Sequence, residues 1–192
     1  EVVNIGKICK CIVPNRDKPK SFSGDIKWVT TPNLKPNSIK LEYENIGSGL
    51  SESEVIEYNA RVIPLGGVIM TCVGNFGLAA IVEKPIVINQ QLHAFISNDV
   101  IIPKYIAYNI QFNKHYFEKK STSTTIQYVN KENCNSMPIP FCSVEEQHRI
   151  VQEIESRLSV ADKMEESIAQ SLQQAEALRQ SILKKAFSGE LV

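Results

Sequence analysis

The chain has 192 residues, 43% of them hydrophobic and 22% charged, with 21 basic and 21 acidic side chains. No run of about 18 apolar residues and no basic-then-apolar leader occurs, so neither a membrane span nor an export signal is expected. The five cysteines (Cys9, Cys11, Cys72, Cys134, Cys142) are odd in number and mostly sit in apolar segments, which fits reduced thiols in a cytoplasmic protein and not a disulfide framework.

The zero net charge averages over unlike parts. Residues 1–142 carry 15 basic and 12 acidic side chains, and residues 143–192 carry 6 and 9. Glu1 to Lys40 holds eight basic residues against three acidic, Glu42 to Glu57 five acidic and no basic, and Lys104 to Lys131 five basic against one acidic. Two basic stretches could therefore meet on one face, although a solvated surface gives the same pattern. The opening residue is Glu1 and not Met, which fits an upstream portion.

Ile5 to Val13 alternates weakly and predicts a first strand, with Cys9 and Cys11 on one face. The Cys-x-Cys pair lacks a second pair at metal-ligand spacing, so thiols of core or surface are expected. Pro14 to Gly24 is a polar, basic loop, Asp25 to Thr30 a short strand with the only Trp, and Thr31 to Ser38 loop again. Gly66–Gly67 turns into a strand over Val68–Val73, and Gly74–Gly77 is a tight turn before a strand over Leu78–Val82. Glu83–Pro85 turns into Ile86–Asn89 and on through Gln90 to Ile96, making this stretch the β core. Pro103 opens a helix with Ile102, Tyr105, Ile106, Ile110, Phe112 and Phe117 on its apolar face. A hydroxyl-rich loop with a small strand (Ser121–Asn130), a helical turn near Lys131–Cys134 and Met137–Pro140 follow.

From Ser143 to Phe187 there is neither Pro nor Gly. Ser143 and Glu146 have capping-box spacing, Gly189 is placed as a C′ residue, and Lys184 and Lys185 lie in the last turn. The expected product is one helix about 44 residues and roughly 66 Å long. Its apolar residues are Ile154, Leu158, Ala161, Met164, Ile168, Leu172, Ala175, Leu178 and Ile182, in steps of 4, 3, 3, 4, 4, 3, 3 and 4. The average of 3.5 predicts a coiled-coil seam that needs a partner helix, and the plain alternative is a generic spacer.

Catalytic chemistry is hard to find. His93, His115 and His148 are scattered, Gly74–Gly77 lacks the Lys-Ser/Thr of a phosphate loop, and no Asn/Asp-Pro-Pro-Tyr segment of an adenine methyltransferase occurs. Cys72 with His93 is the only nucleophile–base pairing to weigh, and each is better read as core. No metal ligand set is expected. A non-catalytic binding module remains. Candidate DNA contacts are Arg16, Lys18, Lys20, Lys27, Thr30, Thr31, Asn33 and Lys35 in the first basic stretch, and Asn75 in the glycine turn. Lys119, Lys120, Ser121, Thr122, Thr124 and Gln127 form a second group. Lys and Arg neutralise phosphates, while Asn, Gln and Arg can read base edges. A protein-binding β domain on an oligomerising helix is the rival from another class.

Specific wording adds a resemblance. Glu145–Val151 (EEQHRIV) and Ala177–Val192 (ALRQSILKKAFSGELV) resemble the helical region of the specificity subunits of type I restriction–modification systems. Gly24–Thr30 (GDIKWVT), Val68–Gly77 with Ile88–Gln90, and Ser136–Pro140 leading into Glu146–Gln147 are similar to motifs of that family's target recognition domain. The resemblance implies an α+β fold: a small, mixed, β-rich recognition domain (1–142), then one long coiled-coil-forming helix (143–192) as spacer and dimerisation region. It implies binding to double-stranded DNA, reading half of a bipartite site, with a modification (methyltransferase) subunit that uses S-adenosylmethionine and a restriction subunit as partners. No cofactor on this chain, no membrane and no catalytic activity of its own are implied. A full specificity subunit resembles this unit written twice. The single copy here is either a half-subunit that forms a homodimer through the helix seam or half of a longer chain.

Overall fold

The computed structural model describes residues 1–15, 18–122 and 127–190. It divides into two compact units, Glu1–Arg149 and Ile150–Val192.

The first unit is built on short strands of β-branched and aromatic residues. β1 (Val2–Asn4) and β2 (Lys10–Ile12) are followed by β3 (Ile26–Val29), β4 (Gly49–Leu50), α1 (Glu52–Glu57) and β5 (Val62–Ile63). Next come β6 (Gly67–Thr71), β7 (Ala79–Ile81), β8 (Ile86–Ile88) and β9 (Leu92–Ile96). α2 (Pro103–Phe112), α3 (Lys114–Lys120), α4 (Lys131–Asn135) and β10 (Pro138–Pro140) lead to α5 (Val144–Ser188). One four-stranded sheet has the order β2-β9-β6-β7, the other β4-β3-β8-β5, and β1 pairs with β10. All pairings within these sheets are antiparallel except β3 with β8, which run parallel with Trp28 opposite Val87.

The strand period of two sorts side chains to opposite faces. Ile69, Ala80, Leu92 and Ala94 of one sheet meet Val29, Ile63, Ile86 and Ile88 of the other, with Leu34, Leu41, Tyr43 and Ile46 closing the core. Trp28, Leu50 and Val87 point the other way and pack with Phe22, Val55 and Tyr58. On the far side of the first sheet α2 covers β6 and β7.

Two expectations need correction. The predicted strand Ile5–Val13 is broken: Ile5–Lys7 forms a 3-10 turn, because Ile5 N–H is drawn to Met137 O and both Ile8 and Cys9 N–H fold back to Ile5 O. Cys9 and Cys11 are nonetheless both buried. The stretch from Gly66 to Ile96 supplies the β core as expected, divided between the two sheets because β8 joins β3. The helix after Pro103 is two helices that turn at Asn113, so the apolar phase resets and Phe112 is exposed. β1, β4 and α1 have no counterpart among the predicted elements. α1 lies in the acidic stretch, and its capping box of Ser51 and Glu54 holds Glu54 against Ser51 N–H (2.8 Å) and Ser23 N–H (3.0 Å).

The end of the first unit includes the start of α5. Ser143 Oγ accepts from Glu146 N–H at 3.3 Å, as the capping spacing predicts. The carboxylate of Glu146 instead pairs with Arg149, one turn on, so the reciprocal half of the box is not made. Gln147 is fully buried.

In the second unit the helix runs on to Ser188, and Gly189 adopts φ +79°. Glu190 N–H closes on Lys185 O at 2.9 Å, which satisfies a carbonyl of the last turn. The predicted seam is open to solvent: Met164, Ile168, Leu172 and Leu178 are each more than 60% exposed. No helix among the described residues is long and apolar enough to cross a membrane.

Candidate nucleic-acid interface

Four loops are tied together where β3, β6 and β8 end. β3 stops at Thr30, whose N–H and hydroxyl both donate to Asn33 Oδ1 (2.8 and 3.0 Å), forming a capped 3-10 turn over Thr31–Asn33. β8 ends beside it: Asn89 N–H donates to Val29 O at 3.0 Å. The chain then turns through Gln90 and Gln91, with Leu92 N–H on Asn89 O. Thr31 Oγ1 donates to Gln91 Oε1 at 3.2 Å and joins the first two loops.

The third loop is the glycine turn between β6 and β7. Thr71 Oγ1 donates to Asn75 O at 2.6 Å, and Gly74 and Gly77 take φ of +74° and +83°, a region open chiefly to glycine. Cys72 N–H donates to Gln91 O at 2.9 Å and so ties this turn to the second loop. The fourth loop follows α3. Gly74 N–H donates to Gln127 O (3.0 Å), Val129 N–H to Cys72 O (2.9 Å), and Thr122 N–H to Tyr128 O (2.9 Å). Asn133 Nδ2 donates to Lys120 O, which anchors the end of α3.

The result gathers Thr31, Asn75, Thr122 and Gln127, with Lys119 and Lys120 on the last turn of α3 beside Ser121. Asn75, Thr122, Gln127, Lys119 and Lys120 are exposed. Ser121 Oγ donates to Glu118 O and serves the helix end. Thr30 and Asn33 hold each other in their capping box. Other candidates are placed elsewhere. Lys35 is paired with Glu42 at 2.6 Å. Lys18 and Lys20 are exposed on a loop that Ser21 and Ser23 fasten to Tyr58 and Glu54. Lys27 is half-buried near the start of β3, about 10 Å of strand back from Thr30. Arg16 and Thr124 lie outside the described residues.

Sequence reasoning missed Asn89 and Gln91, which it read as strand, and Lys114, whose Cβ a side chain at Gly77 would meet at 2.9 Å. The run of three amides Asn89-Gln90-Gln91 just past an apolar strand was the available signal.

Cys72 and His93 do not form a nucleophile–base pair. Cys72 Sγ points to Gln90 O (3.7 Å), and the thiol facing His93 is that of Cys134, 3.2 Å from Nδ1. Burial pushes the Cys72 thiol up to about 12 and the Cys134 thiol well above its usual range, and lowers His93 to about 4. A neutral thiol against a neutral imidazole is core packing. Among the described residues no group of three or more His, Cys, Asp or Glu is arranged to hold a metal ion.

Residues 1–176 match the family described as the type I restriction modification DNA specificity domain. The chain is 26% identical over 155 residues to the type I restriction enzyme MjaIX specificity subunit of Methanocaldococcus jannaschii, covering 78% of this chain and 35% of that one. It is 29% identical over 147 residues to the EcoBI specificity subunit of Escherichia coli, covering 74% and 31%. Among solved structures, 99% of the chain superposes on 46% of a chain from a type I R-M complex, with TM-score 0.79 and 19% identity. The HsdS subunit of Thermoanaerobacter tengcongensis gives TM-score 0.71 and 19% identity over 45% of its length. These structures share the fold, an α+β arrangement ending in a long helix. The chain thus spans about a third of the curated relatives and just under half of the solved chains. Those relatives are named specificity subunits. With the match running from the first strand into the long helix, the chain belongs to the type I restriction–modification DNA specificity family.

Proposed function

We propose that the chain reads one half of a bipartite site in double-stranded DNA and lends that reading to the modification and restriction subunits of a type I system. The observation that carries this is the convergence of Thr31, Gln91, Asn75, Thr122 and Gln127 on one loop cluster, with Lys119 and Lys120 beside it. Hydroxyls and amides can reach base edges, and lysines neutralise phosphates and set the register. Lys119 and Lys120 are the phosphate contacts on this reading; Lys18, Lys20 and Lys27 contribute only where the duplex extends past the cluster. S-adenosylmethionine belongs to the modification subunit.

The helix α5 is the spacer and the dimerisation element. Its exposed seam requires a second helix, supplied here by another copy. The steps 4, 3, 3, 4, 4, 3, 3, 4 read the same from either end about Ile168. An antiparallel copy therefore sets Ile154 level with Ile182, Leu158 with Leu178, Ala161 with Ala175 and Met164 with Leu172. Charge favours that direction over parallel: residues 143–167 carry three basic and seven acidic side chains, residues 169–192 three and two. Antiparallel packing takes each acidic half away from its like and opposes the helix dipoles. Two-fold symmetry then makes the two half-sites identical and inverted.

The test is to map methylated adenines in cells carrying a type I modification subunit that co-purifies with the chain, with and without the chain. A new palindromic split motif is expected. Unlike halves would assign the second recognition domain to a different polypeptide, and no new motif would overturn the reading.

A further inference from the structure

The turn after β8 holds one side-chain amide in a fixed polarity. Gln91 N–H donates to Asn89 Oδ1 at 3.1 Å. A backbone N–H can only donate, so the oxygen of the Asn89 amide is the atom that faces it. That leaves Asn89 Nδ2 to donate to Gln91 Oε1, 3.3 Å away. The Thr31 hydroxyl donates to the same oxygen at 3.2 Å. An amide oxygen offers two lone pairs, and both are taken. The Gln91 amide nitrogen, with its two N–H groups, has no hydrogen-bond partner among the described residues, and the side chain is exposed. Gln91 is thus presented to solvent as a donor alone, in the middle of the loop cluster.

We propose that Gln91 is a specificity-determining residue that reads the keto edge of a base in the major groove, guanine foremost. This rests on the DNA-reading function proposed above. An unrestrained glutamine grips adenine in two directions, giving N–H to N7 and accepting from N6–H at its oxygen. Gln91 can make the second of those bonds only by breaking those to Thr31 and Asn89. Guanine presents two adjacent acceptors, O6 and N7, and thymine presents O4. Adenine and cytosine present an amino group at the same place, donor against donor. Thr31 and Asn89 act on this base as positioning residues: their bonds to Gln91 Oε1 decide which half of the Gln91 amide faces it.

The experiment is enrichment of a random duplex library on the full-length chain, alone and together with a type I modification subunit. Four proteins are compared: wild type, Gln91→Glu, Gln91→Ala and the double variant Thr31→Val/Asn89→Ala. Wild type is expected to enrich one position per half-site for guanine or thymine, by about tenfold or more over the amino bases. Gln91→Glu presents acceptors only and should turn that position to cytosine or adenine. Gln91→Ala should erase the preference while the remaining consensus stands. The double variant, which frees Oε1, should admit adenine at the same position. A consensus unchanged in Gln91→Glu and Gln91→Ala would overturn the inference and leave DNA reading intact. Loss of the preference in Gln91→Ala without the adenine gain in the double variant would overturn the fixed-polarity argument. Failure of the wild type to enrich any sequence in either format would overturn the DNA-reading function itself. Because Gln91 is exposed, its variants should match the wild-type circular dichroism and thermal midpoint.

Discussion

Gln147 Nε2 donates to Val100 O at 2.8 Å, and through this contact the first turns of the long helix are bonded to the loop before α2. The same side chain donates to Cys142 O (3.0 Å) and accepts from Ile102 N–H at Oε1 (3.0 Å). A fully buried amide makes three bonds to backbone groups, which accounts for the Glu146-Gln147 pair physically. Gln147→Leu keeps the volume and strands those groups, each costing about 1–3 kcal/mol when left unpaired. Urea unfolding should show a loss of about 2–4 kcal/mol. A loss near zero would mean that water replaces the amide.

Gly74 and Gly77 share the left-handed conformation but differ in surroundings. A Cβ at Gly74 meets nothing within 4 Å, whereas one at Gly77 meets Lys114 Cβ at 2.9 Å. Gly74→Ala should cost only the backbone strain, about 1–2 kcal/mol. Gly77→Ala should cost more than Gly74→Ala, because the start of α3 has to shift. Equal losses in chemical denaturation would remove the contact with α3 from the account.

Two groups make stability fall in acid, in separate windows. His93 is lowered from 6.5 to about 4, chiefly by burial, so the unfolded chain takes up its proton first and stability drops as pH falls from about 6.5 towards 4. A depression of this size corresponds to on the order of 3 kcal/mol. Glu54 is held at about 2 by hydrogen bonds from Ser21, Ser51 and Ser23, and its contribution is present above about 4.5 and lost between there and 2. Unfolding midpoints recorded from pH 7 to 3 should show both slopes. His93→Leu should flatten the upper one and Glu54→Gln the lower.

Ile168 sits at the centre of the exposed seam. In the proposed dimer Ile168→Asp buries a charge at the seam and should convert it to a monomer in sedimentation equilibrium. Retention of the dimer mass would rule out the helix seam as the interface.

Lys119 and Lys120 are exposed beside the loop cluster. Removing both in Lys119→Ala/Lys120→Ala should weaken binding to all duplexes alike and reduce the salt slope by about two. An unchanged slope would take them off the phosphates.

Elements with local causes were legible in the sequence. Pro140, Ser143 and Gly189 bound α5, Pro103 opens α2, and the glycines of 74–77 mark a turn, because capping and left-handed backbone act over four residues or fewer. α1 was equally legible from Ser51 and Glu54 and was passed over as an acidic run. The seven-residue period of α5 is likewise a property of the chain alone, and it predicts a partner helix. What the tertiary structure decided is which separate stretches meet. The parallel pairing of β3 with β8 brings Thr31 to Gln91 across sixty residues, and burial gives His93 the thiol of Cys134 in place of that of Cys72. Neither is encoded in spacing, since a strand's partner is chosen by which apolar face fills the core. The sequence by itself determined the long helix and the family; the fold decided which polar side chains stand together at the candidate DNA-reading edge, because hydrogen bonds between distant loops form only after the core has set their distance.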